Sequence, residues 1–143
     1  MRETNLFKLI HMIDKINNDN IIKFTRAFPY PLGISPILVL AELKTNGTQR
    51  QVDLANKLGY TKGAMTNIAT KLFDLGLAEK VFDETDRRVI QLRITSVGEK
   101  ALSEAQAIGK TLFMEHFEAL SEEEIHQYIN IQEKLLKHIE DNK

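Results

Sequence analysis

The sequence predicts a mainly helical fold with one small β-hairpin between the fourth and fifth of six helices. Apolar residues recur at helical spacing along most of the 143 residues. Serine or threonine precedes several of these periodic segments, as is typical of helix starts. One stretch, "FDETDRRVIQLRIT" (Phe82–Thr95), instead ends in an apolar–polar alternation of period two, which indicates a half-buried strand.

Composition indicates one ordinary globular domain over residues 1–143. The chain is 43% hydrophobic and 27% charged, and it contains no cysteine, which excludes disulfides and thiolate zinc sites. No apolar run approaches the ~18 residues of a membrane span, and the charged start "MRETNLFK" is unlike a secretory signal. We therefore expect a cytoplasmic protein with no membrane partner.

The first helix is predicted to be long, because its apolar face continues beyond the polar run "NNDN". Pro29 and Pro31 then end it. The residues that form this face are Leu6, Ile10, Ile13, Ile16, Phe24 and Phe28.

Start and stop signals define the next three helices. Ser35 is the expected N-cap of the second helix, with Pro36 at its first position, and Thr48 forms a capping box with Gln51 at the start of the third. Thr61 caps the fourth, which stops at Gly76. Their apolar faces comprise Ile37, Leu38, Leu40, Ala41 and Leu43, then Val52, Leu54, Ala55 and Leu58, then Met65, Ile68, Ala69, Leu72 and Leu75.

The hairpin and two further helices complete the chain. "GLAEKVF" supplies the first strand, and the second places Ile90, Leu92 and Ile94 on one side. Thr95 or Ser96 begins the fifth helix, and the "SEEE" capping box at Ser121 begins the sixth. Both helices carry continuous apolar faces, including Leu102, Ala105, Ile108, Leu112, Phe113 and Phe117, then Ile125, Tyr128, Ile129, Leu135, Leu136 and Ile139.

The third and fourth helices, joined by "LGYT", match a helix-turn-helix. If Met65, Ile68 and Leu72 turn inward, the opposite face of the fourth helix is polar and free of acids. Asn binds adenine bidentately, Lys donates to guanine or phosphate, and Gly lets the backbone approach closely, so this face suits DNA. The alternative is a merely solvated helix face. Its residues are Lys62, Gly63, Thr66, Asn67, Thr70 and Lys71.

The hairpin directly after this helix makes the arrangement a winged helix-turn-helix. Arg87 and Arg88 at its tip would reach the neighbouring minor groove, whose negative potential attracts arginine. Asp86 can orient a nearby arginine. A surface turn with a local ion pair is the alternative interpretation.

Charge is distributed unevenly although the formal net charge is −1. The segment from Lys44 to Lys71 holds five basic residues and one acid, whereas Phe113 to Lys143 holds eight acids and three lysines. A basic middle and an acidic end suggest a directional partner surface, although scattered surface charge also segregates by chance.

The run from "TQRQVDLANKLG" to "LRITSVGEKAL" resembles the core of MarR-type transcriptional regulators. The matching motifs are the "LGISPILVLAEL" entry, "L..LG" before and "L..LGL" after the fourth helix, which is the recognition helix of that family, the D-x-R wing motif as Asp86 and Arg88, and "LRITSVGEKAL" in place of an L-T-x-x-G segment. The resemblance covers essentially the whole chain. It departs from many members at "TKGAMTN", where they are rich in serine and arginine, and at the acidic "DET" of the wing.

This resemblance implies a winged helix-turn-helix core over about residues 32–100, flanked by long N- and C-terminal dimerisation helices over about 4–28 and 101–141. It also implies a homodimer that binds double-stranded DNA at pseudo-palindromic operators and acts as a repressor. A small-molecule effector site near Phe7, Phe24, Phe28 and Tyr30 is left open, since an aromatic stripe at helical spacing more often belongs to a core.

The residues expected to contact DNA come from the helix-turn-helix and the wing, with Asp86 orienting the wing. They are Thr48, Arg50, Lys62, Gly63, Thr66, Asn67, Lys71, Arg87 and Arg88. Catalytic residues and cofactors are not expected, because the chain has no phosphate-binding glycine loop, and "GISPI" lacks the final glycine of a nucleophile elbow. A DNA-binding transcriptional regulator is the expected function. The alternative is a winged-helix module that binds proteins and not DNA.

The histidines offer the weaker possibility of a metal site. None of the four forms an H-x-x-x-H pair. His116 beside Glu115, with His126 near Glu122 and Glu123, could supply oxygen and nitrogen ligands across helices, but surface histidines on acidic helices are commoner. No metal is expected.

Overall fold

The computed structural model describes residues 2–143 and confirms a mainly helical fold with a small antiparallel sheet. The element order agrees with the expected order except for one additional short strand. The elements are α1 (Arg2–Ala27), α2 (Ile34–Asn46), β1 (Gln49–Arg50), α3 (Gln51–Leu58), α4 (Lys62–Asp74), β2 (Ala78–Phe82), β3 (Ile90–Ile94), α5 (Ser96–Phe117) and α6 (Glu122–Asp141).

The described chain falls into two compact units, one ending at Ile108 and one from Gly109 to Lys143. The core of the first unit lies where α2, α3, α4 and the sheet meet. As predicted, α4 turns Met65, Ile68 and Leu72 inward. The largest core side chains with less than 2% exposure are Val39, Leu40, Leu43, Leu54, Met65, Leu72, Leu77 and Leu92.

Two residues assigned to the apolar faces of α2 and α3 lie outside this core. Leu38 on α2 is 47% exposed and Val52 on α3 is 60% exposed. Helical spacing places them near the buried stripe, but each lies at its edge, where the neighbouring elements do not cover it.

The sheet has the order β1-β3-β2, and both pairs are antiparallel. The predicted hairpin is confirmed, with Ala78 opposite Ile94 and Phe82 opposite Ile90. The expected capping box of Thr48 and Gln51 is wrong: the N-cap of α3 is Arg50, without a side-chain cap bond. Gln49 and Arg50 instead pair with Leu92 and Gln91 as β1, so α3 begins later than its local signal suggests.

Three other predicted signals at helix ends are confirmed. Thr61 Oγ1 accepts a bond of 3.1 Å from Ala64 N, and Ser121 forms the full capping box with Glu124. Gly76 follows α4 with a φ of 71°, a left-handed conformation that glycine adopts without strain.

The start of α2 lies earlier than expected. The helix begins at Ile34 with Gly33 as N-cap, not at Ser35. Pro36 is still in the first turn, where its missing N–H has no helical partner to lose.

A glycine close to the start of α5 allows this helix to lie directly against the loop between α4 and β2. A Cβ added at Gly98 would lie 1.9 Å from the carbonyl oxygen of Leu77. That oxygen accepts a bond of 3.1 Å from Thr95 N, while Thr95 Oγ1 donates to Gly76 O at 2.6 Å and accepts from Gly98 N at 3.0 Å. The start of α5 is therefore tied to the loop between α4 and β2.

The second unit contains the end of α5 and all of α6. Phe117 stacks on Phe113 with ring centroids 5.9 Å apart and meets Tyr128 of α6 edge-on at 5.8 Å. None of the helices within residues 2–143 combines the length and apolar character needed to cross a membrane.

The terminal helices α1 and α6 keep their apolar faces exposed, and neither has a buried residue among those described. The exposed side chains include Leu6, Ile10, Ile13 and Ile16 of α1 and Tyr128, Ile129, Leu135, Leu136 and Ile139 of α6. Apolar patches of this kind on a folded chain usually mark an interface.

Candidate nucleic-acid interface

The polar face of α4 is exposed, as its sequence predicts. The buried positions Met65, Ile68 and Leu72 recur at helical spacing, so the residues between them project to the opposite side. That side carries no acid before Asp74. Its exposed residues are Lys62, Gly63, Thr66, Asn67, Thr70 and Lys71.

The side chains on this face differ in what they still offer a ligand. Thr66 Oγ1 donates to Lys62 O at 2.9 Å and accepts from Gln51 Nε2 at 3.1 Å, so its hydroxyl is occupied and its methyl group is not. Thr70 Oγ1 donates to Thr66 O at 2.9 Å. Asn67 makes no side-chain hydrogen bond within residues 2–143, so its amide keeps both donors and its acceptor. The contact from Gln51 also joins the start of α3 to the face of α4.

The wing tip holds its arginine on the neighbouring acid. Asp86 Oδ1 accepts from Arg88 N at 3.0 Å and from Arg88 Nε at 3.1 Å, and Oδ2 accepts from Nη2 at 3.2 Å. These bonds to Arg88 lower the pKa of Asp86 from its usual 3.8, so it is ionised at neutral pH. The Arg88 side chain nevertheless remains 91% exposed. Its guanidinium is thus oriented without being covered.

The base of the wing has a second carboxylate with more partners. Asp83 Oδ1 accepts from Thr85 N at 2.9 Å and from Thr85 Oγ1 at 2.7 Å, and Oδ2 accepts from Arg50 Nη2 at 2.9 Å. The bonds from Thr85, followed by the positive charge of Arg50, hold the pKa of Asp83 below its usual 3.8. The sequence assigned an orienting role to Asp86 but did not reveal the pair of Arg50 and Asp83, because its members are 33 residues apart.

A third acid, Glu42, connects α2 to the first helix of the helix-turn-helix. Glu42 of α2 accepts from Lys57 Nζ at 2.6 Å and from Asn46 Nδ2 at 2.7 Å, and these two bonds lower its pKa from 4.5. Gln49 Nε2 donates to Gly47 O at 3.2 Å. Lys57 thereby joins α3 to α2, while the glutamine holds the turn before β1.

The expected DNA-contacting residues come together in part. A cleft of about 410 Å³ lies between α3, the start of α4 and the wing, and Lys62 and Arg88 both line it. Arg87 and Gly63 are exposed in the wing and on α4, respectively. Thr48 is exposed in the bend before β1, and Arg50 is engaged by the wing. The last member of the set, Lys71, is nine residues beyond Lys62 on α4, or about 13 Å along the axis.

Two kinds of ligand site were considered from the sequence, an effector site near four aromatic residues and a metal site at the histidines. Phe28 is 4% exposed, and its ring lies 5.2 Å from Phe24 and 5.4 Å from Tyr30, so these three belong to or border the core. Phe7 is 71% exposed. Residues 2–143 contain no group of three or more His, Cys, Asp or Glu side chains placed to hold a metal ion.

Comparison with known proteins agrees with this geometry. The profile of the MarR family matches residues 34–90, which span α2 to the start of β3. The chain is 31% identical over 105 residues to the HTH-type transcriptional repressor MdtR of Bacillus subtilis (strain 168), covering 72% of this chain and 68% of the relative. It is 33% identical over 84 residues to the HTH-type transcriptional regulator FarR of Neisseria gonorrhoeae, covering 59% and 55% of the two chains.

Solved structures show the same fold. The crystal structure of the YusO protein from Bacillus subtilis superposes with a TM-score of 0.77 at 25% identity, covering 95% of this chain and 94% of that one. A mutant MarR from E. coli, complexed with operator DNA, superposes with a TM-score of 0.74 at 20% identity, covering 92% and 96%. The family profile and the relatives of similar sequence agree with the exposed face of α4 and with the wing arginine held by Asp86. Together they show that the chain belongs to the MarR family of DNA-binding transcriptional regulators.

Proposed function

We propose that the protein is a homodimeric repressor that binds a pseudo-palindromic operator with α4 in the major groove and the wing over the minor groove. The observation that carries this proposal is the acid-free, exposed face of α4 beside an arginine that Asp86 orients but does not cover. A helix in the major groove reads base edges, and an arginine reads the width of the minor groove.

Each predicted residue has a role in this proposal. Asn67 and Lys62 contact base edges, and the free methyl of Thr66 suits a thymine methyl. Gly63 allows close approach of the backbone, and Arg88 enters the minor groove. Three further members of the set are proposed to lie along the phosphates: Thr48, Lys71 and Arg87. Arg50 is paired with Asp83 of the wing.

The dimer is proposed from the exposed apolar faces of α1 and α6. Exposed apolar side chains recur at helical spacing along α6, where Leu135 and Leu136 are 53% and 57% exposed. A second copy would remove such faces from water, and two-fold symmetry is the commonest way for identical chains to do so. A two-fold dimer would present two α4 helices to two half-sites, which is the geometry that a pseudo-palindrome requires. The proposed dimerisation segments at about 4–28 and 101–141, which flank the core at about 32–100, contain α1, most of α5 and α6.

Repression, the absence of enzymatic activity and the cytoplasmic location are proposals that rest on the relatives. One of them is a repressor by name, and transcriptional regulators are not enzymes. Such a regulator acts where the DNA is, which makes the cytoplasm the proposed location. Release by a small-molecule effector remains part of the proposal without an assigned pocket.

Fluorescence anisotropy with mixed-sequence and operator DNA at two salt concentrations tests the function. Operator fragments would come from selection of bound genomic DNA. Neutralised phosphates release counterions, so we expect affinity to fall steeply with salt. A chain that binds no DNA at low salt would be the protein-interaction module instead.

Asn67→Ala tests the placement of α4, with Asn130→Ala on exposed α6 as the matched control. Loss of one base-edge contact should cost roughly 1–3 kcal/mol and relax specificity at one operator position. The control should bind as the unmodified protein does. Equal discrimination between operator and mutated operator by both variants would remove Asn67 from the interface.

A further inference from the structure

We propose that Asp83 is a positioning residue for DNA binding, which fixes the wing to the start of the helix-turn-helix through Arg50. Arg50 then acts through the wing and not as a direct DNA contact, which revises the role expected from the sequence. The inference rests on the proposed function, because it concerns how the wing is presented to DNA.

The ion pair joins two edges of the sheet that share no backbone bond. Arg50 ends β1, and Asp83 directly follows β2, while β3 lies between these two strands. Arg50 pairs with Gln91, which in turn pairs with Val81 of β2. The 2.9 Å contact from Arg50 Nη2 to Asp83 Oδ2 therefore reaches across β3 and closes the sheet from one edge to the other. Because Arg50 is also the N-cap residue of α3, the contact ties the wing to the helix-turn-helix.

The same carboxylate organises the wing tip. Its Oδ1 holds the backbone and hydroxyl of Thr85, and Asp83 N donates to Val89 O at 3.3 Å. Val89 N in turn donates to Asp86 O at 3.0 Å, and Asp86 holds Arg88. A continuous chain of contacts thus runs from Arg50 to the exposed guanidinium at the tip.

Burial separates Asp83 from the other wing acids. Its side chain is 10% exposed, whereas that of Asp86 is 38% exposed, and Glu84 between them is exposed without a side-chain hydrogen bond or ion pair within residues 2–143. Both oxygens of Asp83 are occupied. A carboxylate on a DNA-facing wing repels phosphate, so its presence is explained if it fixes the wing geometry.

Asp83→Asn gives opposite expectations for the two possible roles. If only charge mattered, removal of a negative charge near DNA would strengthen binding. If Asp83 positions the wing, the loss of its ion pair should weaken operator binding by about threefold to tenfold. Glu84→Gln is the matched control, since it removes the same charge from the next residue without removing a contact. We expect this control to bind as well as or better than the unmodified protein.

Arg50→Met tests the revised role of the arginine. A phosphate contact would lower the salt slope by about one unit per half-site, whereas a positioning residue leaves the slope unchanged while affinity falls. Arg50→Met combined with Asp83→Asn should bind no worse than either single variant, because both break one contact. In an Arg88→Ala background, Asp83→Asn should add little, since its effect passes through Arg88.

Three results of the binding measurements would overturn the proposal: Asp83→Asn binding like Glu84→Gln, a lowered salt slope for Arg50→Met, or additive losses in the double variant. Hydrogen exchange at the amides of Asp83 and Val89 in the DNA-free protein gives an independent readout. Exchange should be faster in Asp83→Asn and in Arg50→Met, and unchanged in Glu84→Gln. If the unmodified protein bound no DNA, the proposed function would be wrong. Amide exchange that is unchanged in Asp83→Asn would instead show that Asp83 does not fix the wing, whether or not the protein binds DNA. If Asp83→Asn did not fold, Arg50→Met, whose side chain is 49% exposed, makes the same comparison.

Discussion

Replacement of Gly98 by alanine is expected to destabilise the protein by about 3 kcal/mol, although alanine is the better helix former. The added Cβ would lie 1.9 Å from Leu77 O and 2.9 Å from Ile94 Cγ1, distances that real Cβ atoms essentially never show. The obstructing atom is backbone, so α5 would have to retreat by about 1 Å.

That retreat would strain or break the hydrogen bonds at the start of α5. They are Thr95 N to Leu77 O, Gly98 N to Thr95 Oγ1, and Thr95 Oγ1 to Gly76 O. Each contributes roughly 0.5–1.5 kcal/mol, and overpacking costs about 1–3 kcal/mol, less about 1 kcal/mol gained from helix propensity. The melting temperature should fall by about 10 °C for a chain of this length.

Thermal unfolding followed by circular dichroism at a fixed protein concentration measures the effect, because dimer stability depends on concentration. Gly109→Ala on the same helix is the matched control, since a Cβ there meets nothing within 4 Å. It should raise stability by up to about 1 kcal/mol. If Gly98→Ala melted at or above the temperature of the unmodified protein, the reasoning from the Leu77 contact would be refuted.

Four other variants probe the interface, the dimer and the pH dependence. A Cβ added at Gly63 would have no atom within 4 Å, so Gly63→Ala should stabilise α4 by up to about 1 kcal/mol. The same Cβ should weaken DNA binding if the backbone of α4 approaches the DNA closely at this position, and unchanged binding in the anisotropy assay would contradict that approach. Arg88→Ala should lose more affinity for operators with A·T-rich flanks than with G·C-rich flanks, and equal losses would make it a phosphate contact. The Leu136 side chain is 57% exposed, and Leu136→Lys would place a charge in the proposed dimer interface, so sedimentation should show more monomer than for the unmodified protein. An unmodified protein that sediments as a monomer would contradict the dimer. Folding lowers the pKa of Glu42 from 4.5, so the ionised carboxylate stabilises the folded protein above pH 4.5, and this stabilisation is lost as pH falls through the folded-state pKa. In urea unfolding, Glu42→Gln should therefore be less stable than the unmodified protein at pH 7 and should lose less stability between about pH 5 and 3. Parallel pH profiles of the two proteins would contradict a stabilising role for the Glu42 carboxylate.

The sequence by itself determined those features that depend on residues a few positions apart. The caps at Thr61 and Ser121 and the left-handed Gly76 all involve groups within one or two turns of the chain. The buried stripe of α4 follows from the helical period, and so does the acid-free face opposite it. The same holds for Asp86 and Arg88, which are two residues apart. These features were sufficient for the fold class, the family resemblance and the predicted recognition surface.

Only the tertiary structure decided the contacts between distant segments. Strand β1 exists because Gln49 and Arg50 meet β3, and this pairing displaced the capping box that the local sequence favoured. The requirement for Gly98 arises from Leu77, which precedes it by a complete hairpin. The pair of Arg50 and Asp83 spans 33 residues. Local periodicity and capping involve groups that the chain itself keeps adjacent, whereas these partners become neighbours only when the core and sheet have formed, so their positions depend on the whole fold.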